Sequence, residues 1–238
     1  MSSSPEHPAG PVRTLAVDIG GTGIKTLVLD EAGKPLTERT RVDTPHPATP
    51  AALIGAIVGL AREQGEFARA SVGFPGVVRK GVVRSAPNLD PKWVGVDLAK
   101  ALAKAFGRPT RVCNDADIQG YGVIKGKGVE LVITLGTGLG SALFVDGSLI
   151  HLELAHHQAW KGRTYEEELG LKALKKVGKK KWNKRLVRAI GALERLFIYD
   201  TLYLGGGNAS RITVDLPRNA RIVPNVAGLL GGIALWRT

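Results

Sequence analysis

The segment DIGGTGIK, from Asp18 to Lys25, places three glycines between two apolar runs. Glycine lets successive backbone N–H groups point into one concavity and lets the backbone approach a ligand closely, which suits an anion. Thr22 adds a hydroxyl donor, and the carboxylate of Asp18 could hold a magnesium ion through water. A tight hairpin also uses glycine when it binds nothing, and for one such segment alone this second interpretation is favoured.

A second segment of the same kind begins at Glu130. ELVITLGTGLGSALFVDGSLI aligns with TLAVDIGGTGIKTLVLDEAGKPL when one residue is skipped in the glycine segment. The alignment pairs Gly20 with Gly136, Thr22 with Thr137, Gly23 with Gly138 and Gly33 with Gly147. A third strand-to-glycine junction, TLYLGGGNAS, contains Gly205–Gly207. Two similar hairpins and this junction together favour phosphate binding, because facing hairpins would clamp a phosphate chain from both sides.

These three segments supply the predicted phosphate-binding residues. They are Asp18, Gly20, Gly21, Thr22, Gly23, Lys25, Gly136, Thr137, Gly138, Gly205, Gly206 and Gly207.

The glycine segment is part of a β-hairpin rather than the start of a helix. After the glycines the chain continues as the alternating run IKTLVL and then the turn DEAGK. A dinucleotide-binding glycine loop must open a helix. The sequence therefore excludes the Rossmann interpretation.

Capping residues predict the main helices. Thr49 with Pro50 begins a helix that runs to Gly65, and Asp97 caps LAKALAKAF, which Gly107 ends. Thr164 and Glu167 form a capping box. Apolar periodicity predicts a further amphipathic helix over Trp182–Phe197, and NVAGLLGGIALW reads as an apolar C-terminal helix.

A strand over Thr110–Cys113 is predicted to deliver Asn114, Asp115 and Asp117 at its carboxyl end. A carboxylate at the end of a strand is suited to accept a proton from a reacting hydroxyl. Asp115 is the candidate for this base. For Asp117 we expect only a helix-capping role.

Composition limits the protein class. The 238 residues are 44% hydrophobic, which is enough for one large domain or two modest ones. The single cysteine, Cys113, excludes an internal disulfide and fits a reducing compartment, so a cytoplasmic location is expected. No apolar run approaches the roughly 20 residues of a membrane helix. Residues 1–13 are expected to form a disordered leader rather than a signal peptide.

The formal net charge is +12, and much of the excess lies in KALKKVGKKKWNKRLVR, from Lys172 to Arg188. Nucleic acid, membrane headgroups and polyphosphate are all candidate partners for such a segment. A solvated helix face explains it equally well. No aromatic stacking motif or nucleic-acid-reading module accompanies the charges, so specific nucleic-acid binding is not expected, nor is a membrane partner.

Six motifs occur in the order in which they stand in ROK family sugar kinases (repressor, open reading frame, kinase). They are DIGGTGIK, GFPG, NDAD, TLGTGLGSALFVDG, an E-x-x-H pair and LYLGGGN. The chain resembles this family from Leu15 to Trp236, and its compact size and KKVGKKKWNKRL are most similar to the polyphosphate glucokinases. The resemblance implies an α/β chain with the actin-like ATPase (ribonuclease H-like) fold, in which two α/β domains enclose a cleft.

The domain boundaries expected from this resemblance are residues 14–113 for the smaller N-terminal domain and 114–224 for the larger C-terminal one. A helix over 225–238 is expected to pack back on the first domain.

The resemblance also assigns residues. Asp115 matches the family's catalytic aspartate and Asn114 a sugar-hydroxyl ligand. Glu153 and His156 match its E-x-G-H sugar-binding pair, although Ala155 replaces the usual glycine. Asn88 and Glu166 match further sugar ligands, with Glu167 and Glu168 as competitors for the role of Glu166.

The family's zinc site has no counterpart here, because the cysteines that form it are missing. We expect magnesium and no zinc. The first functional hypothesis is a glucokinase that uses polyphosphate, ATP or both on the sugar 6-hydroxyl, with mannose or N-acetylglucosamine as alternative sugars and a homodimer as the expected assembly. A sugar-responsive regulator is the alternative, disfavoured because only about a dozen residues precede the first strand and leave no room for a helix-turn-helix.

Overall fold

The computed structural model describes residues 11–224 and 227–237 of the chain. Strands and helices alternate along it. The strands are β1 (Thr14–Ile19), β2 (Ile24–Leu29), β3 (Thr40–Val42), β4 (Arg69–Phe74), β5 (Val78–Arg79), β6 (Val82–Val83), β7 (Thr110–Asn114), β8 (Val129–Leu135), β9 (Leu139–Val145), β10 (Ser148–His151), β11 (Gln158–Trp160), β12 (Arg163–Thr164), β13 (Thr201–Gly205) and β14 (Ala220–Ile222). The α-helices are α1 (Pro50–Glu63), α2 (Leu98–Phe106), α3 (Asp115–Tyr121), α4 (Tyr165–Leu169), α5 (Leu171–Phe197) and α6 (Ala227–Leu230).

Two five-stranded sheets share one topology. Their strand orders are β3-β2-β1-β4-β7 and β10-β9-β8-β13-β14. In each sheet the second strand of this order pairs antiparallel with the first and with the third. The fourth strand pairs parallel with the third, and the fifth pairs parallel with the fourth. The internal repeat predicted from the glycine hairpins is confirmed, and it extends to the whole sheet.

The two glycine loops close in the same way. β1 pairs with β2 and β8 with β9, both antiparallel, so both predicted hairpins are confirmed. Gly20 N donates to Gly23 O at 3.0 Å in the first loop, and Gly136 N donates to Gly138 O at 3.1 Å in the second. The second loop is one residue shorter, which is the gap that the sequence alignment required.

Each sheet has its own hydrophobic core. In the first, Leu15 and Val72 pack with Leu53 of α1 and with the buried Trp93. Burial of such side chains is the main free-energy gain of each layer.

The second core is built against α5. Leu131 and Ile133 of β8 pack with Trp182, Leu186 and Ile190, which form the apolar face of the predicted amphipathic helix. Trp182 Nε1 also donates to Leu169 O at 2.9 Å, which satisfies its one polar atom.

Three of the predicted helix starts are confirmed. Thr49 caps α1, Asp97 caps α2, and Thr164 with Glu167 forms the capping box of α4. The helix expected at Trp182 instead begins at Leu171 and bends at Gly178, whose φ of 74° is not helical. Ala173, Leu174 and Val177 lie against the second core, so the segment before Gly178 carries apolar positions of its own, and Gly178 separates them from the run that begins at Trp182.

The predicted C-terminal helix is not continuous. Asn225 and Val226 lie outside the described residues; α6 follows, and Gly231–Trp236 then form a 3₁₀ turn. Gly231 lies so close to Ile118 O of α3 that no side chain fits there. Ser71 Oγ donates to Gly232 O at 2.7 Å, so this segment packs on the first sheet. Two adjacent glycines weaken the helix and permit the close backbone contact.

Residues 1–10 of the expected leader lie outside the described residues. Val12 N donates to Glu31 Oε1 and Ala68 N donates to Arg13 O, both at 2.9 Å, so residues 12 and 13 are held to the first sheet. Among the described helices, none has the length and apolar character needed to cross a membrane.

The division into residues 14–113 and 114–224 is retained as a proposal. The two separate cores support it. Helix α3 lies at the boundary, since it packs against β4 of the first sheet and β8 and β9 of the second.

Candidate active site

A cleft of about 320 Å³ lies between the two sheets, where both glycine hairpins open. All predicted site residues line it except Gly23 and Gly205. Those that line it are Asp18, Gly20, Gly21, Thr22, Lys25, Asn88, Asn114, Asp115, Gly136, Thr137, Gly138, Glu153, His156, Glu166, Gly206 and Gly207.

The two predicted residues outside the lining have packing neighbours instead. Gly23 lies against the guanidinium of Arg41, which donates to Thr22 O at 3.0 Å. Gly205 lies against the side-chain amide of Gln119. Their phosphate-binding roles stay predictions, because neither residue lines the cleft.

The two glycine loops face each other. A Cβ placed on Gly21 would lie 3.4 Å from Thr137 Oγ1, so the first loop meets the second across the cleft. The N-terminus of α5 supports the second loop, because Leu171 N donates to both Gly136 O and Thr137 O. A chain of phosphoryl groups could therefore be held from both sides by backbone donors.

Asp18 and Lys25 are direct cross-strand partners in the first hairpin. Lys25 Nζ donates to Asp18 Oδ2 at 2.9 Å, which places one negative and one positive charge at the cleft. The lysine can meet a phosphate oxygen while the carboxylate offers an oxygen to a hydrated cation.

The carboxylate of Asp18 suits magnesium better than a metal ion that needs several protein side chains as ligands. Among the described residues, no group of three or more His, Cys, Asp and Glu side chains forms a ready cation site. Mg²⁺ keeps several waters and commonly binds through one or two carboxylates together with substrate phosphates. Asp18, beside a phosphate-binding loop, is chemically suited to that mode.

Asp115 stands at the junction of β7 and α3, where a parallel strand ends and a helix begins. Its carboxyl pKa is raised to about 7, first by burial and then by the negative charge of Asp18. Asp117 and Glu153 raise it further, while a hydrogen bond from Ala116 N opposes them. A carboxyl with a pKa near neutrality is suited to accept a hydroxyl proton.

Asn114, not Asp117, caps α3. Asn114 Oδ1 accepts from Ala116 N at 2.7 Å and from Asp117 N at 3.3 Å, and its Nδ2 donates to Gly76 O at 3.0 Å. The capping role expected for Asp117 is therefore wrong, because the preceding asparagine already occupies the N-cap. Since both ends of the Asn114 amide bond to the protein, its proposed contact with sugar would have to be an additional one.

The buried carboxylate of Asp117 instead pairs with the half-exposed imidazole of His151. Asp117 Oδ2 lies 3.0 Å from His151 Nδ1, and the carboxylate is 4% exposed. Burial raises the Asp117 pKa to about 6, and the neighbouring His151 opposes the rise. A small cavity of about 90 Å³ beside them is lined by Asn114 and Glu153 as well. The pair joins α3 to the strand that leads to Glu153.

The candidate sugar ligands lie on the remaining wall of the cleft. Asn88, Glu153 and His156 come from two loops and Glu166 from the start of α4, and all four line the cleft. Carboxylate, imidazole and amide groups are the types that hydrogen-bond sugar hydroxyls. His157, the neighbour of His156, is exposed and does not line the cleft.

The structure separates the three neighbouring glutamates. Among them, only Glu166 lines the cleft, where its Oε2 accepts from Leu139 N at 3.2 Å. Glu167 Oε2 accepts from Thr164 N in the capping box, and Glu168 pairs with Arg163 and with the buried Arg185. Gly138 is needed beside Glu166, because any side chain at 138 would collide with that carboxylate.

Sequence reasoning missed several cleft residues. Asn208 Nδ2 donates to Gly136 O at 2.8 Å and so fixes the second glycine loop; its position directly after the GGG run was an available signal. Thr134, whose Oγ1 accepts from Gly140 N, gave no signal beyond belonging to the strand. Gln119 could have been found from its spacing, since it lies four residues after Asp115 on the same helix face.

The lysine side chains in the first turns of α5 are exposed to solvent. Lys172, Lys175, Lys176, Lys179 and Lys180 are exposed, and the helix that carries them begins at the second glycine loop. Arg185 is buried against Glu168, and Arg188 lies 4.8 Å from the ring centre of Trp160. The lysines are thus available to an anion while the two arginines have partners.

Known proteins resemble this chain over most of its length. The sequence model of the ROK family matches residues 14–154. A polyphosphate glucokinase of Mycobacterium tuberculosis is 33% identical, with 97% of this chain and 95% of that protein covered.

Solved structures give the same result. An inorganic polyphosphate/ATP-glucomannokinase from Arthrobacter sp. strain KM is 36% identical with a TM-score of 0.86, covering 94% of this chain and 99% of that one. A ROK family glucokinase from Streptomyces griseus, solved with glucose and AMPPNP, is 22% identical with a TM-score of 0.76, covering 94% and 98%. The expected actin-like ATPase fold is thereby confirmed.

Proposed function

The chain belongs to the ROK family, and we propose that it is a glucokinase that transfers a phosphoryl group from polyphosphate, ATP or both to the 6-hydroxyl of glucose. The observation that carries this proposal is the position of Asp115 in a cleft whose walls are two facing glycine loops. The names of its relatives, polyphosphate glucokinase and polyphosphate/ATP-glucomannokinase, support both the acceptor and the donor.

In the proposed mechanism, Glu153, His156, Asn88 and Glu166 hold the sugar so that its reacting hydroxyl faces Asp115. Asp115 accepts the hydroxyl proton as the new P–O bond forms, and the old P–O bond of the donor breaks. Phosphoryl transfer has a loose transition state, so most of the rate gain comes from positioning and from stabilising charge.

The glycine loops supply that charge stabilisation. Backbone N–H groups of Gly21, Thr22, Thr137 and Gly138, together with Gly206 and Gly207, would bind phosphoryl oxygens, and Lys25 would add a positive charge. Magnesium, when bound, neutralises phosphoryl oxygens. Asp18 would hold it through water, as its single carboxylate beside Lys25 suggests.

Donor choice is proposed from charge. ATP presents three phosphates, whereas polyphosphate is a long anion that gains affinity from each added cation along its path. The exposed lysines of α5 begin next to the second glycine loop, which makes them the proposed path for the distal phosphates. The glycine junction after β13 stays available for a nucleotide, so both donors are retained.

A homodimer in the cytoplasm completes the proposal. Leu196 and Ile198 at the end of α5 are 64% and 80% exposed, and such apolar side chains are common at subunit interfaces. Size-exclusion chromatography with light scattering would measure a mass near twice 25.2 kDa.

One assay tests the proposed activity. Purified protein with magnesium is offered glucose, mannose or N-acetylglucosamine against ATP or polyphosphate, and sugar phosphate is measured directly. We expect glucose 6-phosphate with at least one donor. Phosphorylation of N-acetylglucosamine alone would assign another hexose, and no phosphorylation of any sugar would favour the sugar-responsive regulator, whose fold is shared.

A further inference from the structure

The side chain of Gln119 lies in the cleft wall without a role in the proposed mechanism. It follows Asp115 by four residues on α3, so both side chains share one face of the helix and line the same cleft. Gln119 is 6% exposed. Its amide nitrogen has no hydrogen-bond partner, and it is the one buried side-chain nitrogen or oxygen in residues 11–224 and 227–237 of which this is true.

A buried amide donor without a partner costs free energy, and most proteins avoid it. The neighbouring polar side chains of the cleft do avoid it. Asn208 Nδ2 donates to Gly136 O, Thr134 Oγ1 accepts from Gly140 N, and the amide of Asn114 bonds at both ends. The donor of Gln119 therefore differs from these three neighbours, whose side chains are hydrogen-bonded to the protein.

The fold keeps a space for this amide. A Cβ at residue 205 would lie 2.3 Å from Gln119 Nε2, so any residue other than glycine would displace the amide. The contact with Gln119 thus explains why residue 205 is a glycine. The next two residues, Gly206 and Gly207, line the cleft. The amide is held where the glycine junction after β13, the second glycine loop and Asp115 meet.

We propose that Gln119 is a ligand of the phosphoryl donor and that its amide N–H group donates a hydrogen bond to a phosphoryl oxygen bound between the second glycine loop and Gly206–Gly207. The proposal rests on the proposed kinase function. A half-turn of the terminal amide exchanges nitrogen and oxygen with little change of shape, so the N–H group can turn from Gly205 to an acceptor in the cleft. Phosphoryl oxygens are acceptors that carry charge, and hydrogen bonds to them are strong.

The location favours the donor over the sugar. The candidate sugar ligands Glu153, His156 and Glu166 come from the loop after β10 and the start of α4. Gln119 instead touches the strand end that leads into the GGG junction. A contact there would reach the phosphoryl groups that ATP and polyphosphate have in common.

The test uses two variants of the full chain. Gln119→Met removes the amide and keeps the length of the side chain, and Gln119→Glu replaces the donor with an anion. At saturating glucose we expect the KM for the donor to rise about tenfold in Gln119→Met, the value of one lost hydrogen bond, and further in Gln119→Glu because like charges repel. The KM for glucose should stay within about twofold, since the affected contact is made to the donor.

Gln64→Met is the matched control. Gln64 is also a buried amide, 7% exposed, but its Nε2 donates to Thr26 O, Glu38 O and Thr40 Oγ1 away from the cleft. This control should lower the Tm and leave both KM values unchanged. Gln119→Met should leave the Tm unchanged or raise it, because it removes an unpartnered polar group.

Two donors distinguish the possible contacts. A similar rise in KM for ATP and for polyphosphate supports a bond to the shared phosphoryl chain. A rise for ATP alone would overturn the assignment, because the contact would then lie on the nucleoside. A donor KM within twofold of the parent chain, or a glucose KM that rises in step with it, would overturn it as well.

Titration calorimetry with tripolyphosphate and magnesium measures the contact without turnover. We expect binding that weakens about tenfold in Gln119→Met. Equal affinities of the parent chain and Gln119→Met would refute the role of Gln119 even if glucose is phosphorylated. A parent chain that phosphorylates no sugar would refute the proposed function. The binding comparison would then still decide the role of Gln119.

Discussion

The Asp115 carboxyl must be ionised to accept a proton, yet its surroundings favour the protonated form. Burial and the charge of Asp18 raise its pKa to about 7. Ionised Asp115 is therefore scarce at pH 5 and predominant at pH 9. We expect kcat/KM for glucose to rise with pH through a midpoint near 7, because this ratio reports the free enzyme.

The neighbouring Asp117 supplies the control for this pH profile. Its negative charge is one of the causes of the raised Asp115 pKa. Asp117→Asn should therefore move the midpoint of the profile to lower pH, as kcat/KM for glucose measured across the same pH range would show. A midpoint that does not move, or a rate that falls as pH rises through 7, would contradict the assignment of Asp115 as the titrating base.

Stability gives an independent measure of the same group. A carboxyl whose pKa is higher in the folded than in the unfolded chain binds its proton more tightly when folded, so folding loses stability as pH rises from about 4 through 7. Asp115→Asn cannot ionise and escapes this loss. We expect its free energy of unfolding, relative to that of the parent chain, to be about 3 kcal/mol higher at pH 8 than at pH 4.

Denaturant unfolding at both pH values measures this difference. Asp43→Asn is a suitable control, since the side chain of Asp43 is 84% exposed and no shift of stability with pH of comparable size is expected from it. Equal relative stabilities of the Asp115→Asn chain at pH 4 and pH 8 would show that the Asp115 pKa is ordinary.

At the scale of elements, the Asp117–His151 pair ties α3 to β10. Helix α3 carries Asp115, and the chain after β10 carries Glu153 and His156. The 3.0 Å contact therefore positions the proposed base relative to the proposed sugar ligands. We expect His151→Phe to raise the KM for glucose by roughly three- to tenfold, because it leaves a buried carboxylate without its partner.

His157→Phe is the control for this variant, because His157 is exposed and outside the cleft lining. Steady-state kinetics with glucose as the varied substrate decide the matter. If both variants keep the parent KM, the pair does not position the sugar site.

Helix α5 is the element through which we expect polyphosphate and ATP to bind differently. Lys175→Glu with Lys179→Glu reverses two exposed charges near the start of the helix. We expect the KM for long-chain polyphosphate to rise at least tenfold and the KM for ATP to change less than threefold, because only the longer anion extends along the helix.

The matched control reverses the charges of Lys100 and Lys104 in the same way. Both lysines are exposed on α2, a helix that packs on the first core. The control makes the same change in net charge. If this control weakens polyphosphate as much as the α5 variant does, the effect is one of overall charge and not of a path.

Most of these elements could be predicted because their signals are local. Thr49, Asp97 and the Thr164–Glu167 capping box give the helix starts, and the glycine loops give the hairpins. The start of α5 was predicted too late, because the non-helical Gly178 separates the apolar residues Ala173, Leu174 and Val177 from the run that begins at Trp182. The break after α6 depends on contact between Gly231 and Ile118, residues far apart in sequence.

The candidate site was predictable to the extent that its residues stand in glycine-rich or family-like motifs. Asp18, Asp115 and Glu153 line one cleft as those motifs suggested. The position of Gln119 on the helix face of Asp115 could have been read from the spacing, but its unpartnered amide and the bond between Asp117 and His151 exist only in three dimensions.

At the scale of the whole molecule, one sheet topology occurs twice and the active cleft lies between the copies. Each copy contributes one glycine loop, so neither half alone could hold a phosphate chain from both sides. Asp115 stands on α3, the helix that packs against both sheets. The repeat thus explains why the proposed base and both loops meet at one place.

The most direct test of this account follows phosphoryl transfer by ³¹P NMR, with glucose, magnesium and either donor, in the parent chain and in Asp115→Asn. We predict glucose 6-phosphate from the parent chain and a turnover lower by about 10³-fold in the variant, with glucose affinity by calorimetry changed only a few-fold. A variant that forms glucose 6-phosphate at nearly the parent rate would contradict the central claim that Asp115 deprotonates the sugar between the two glycine loops.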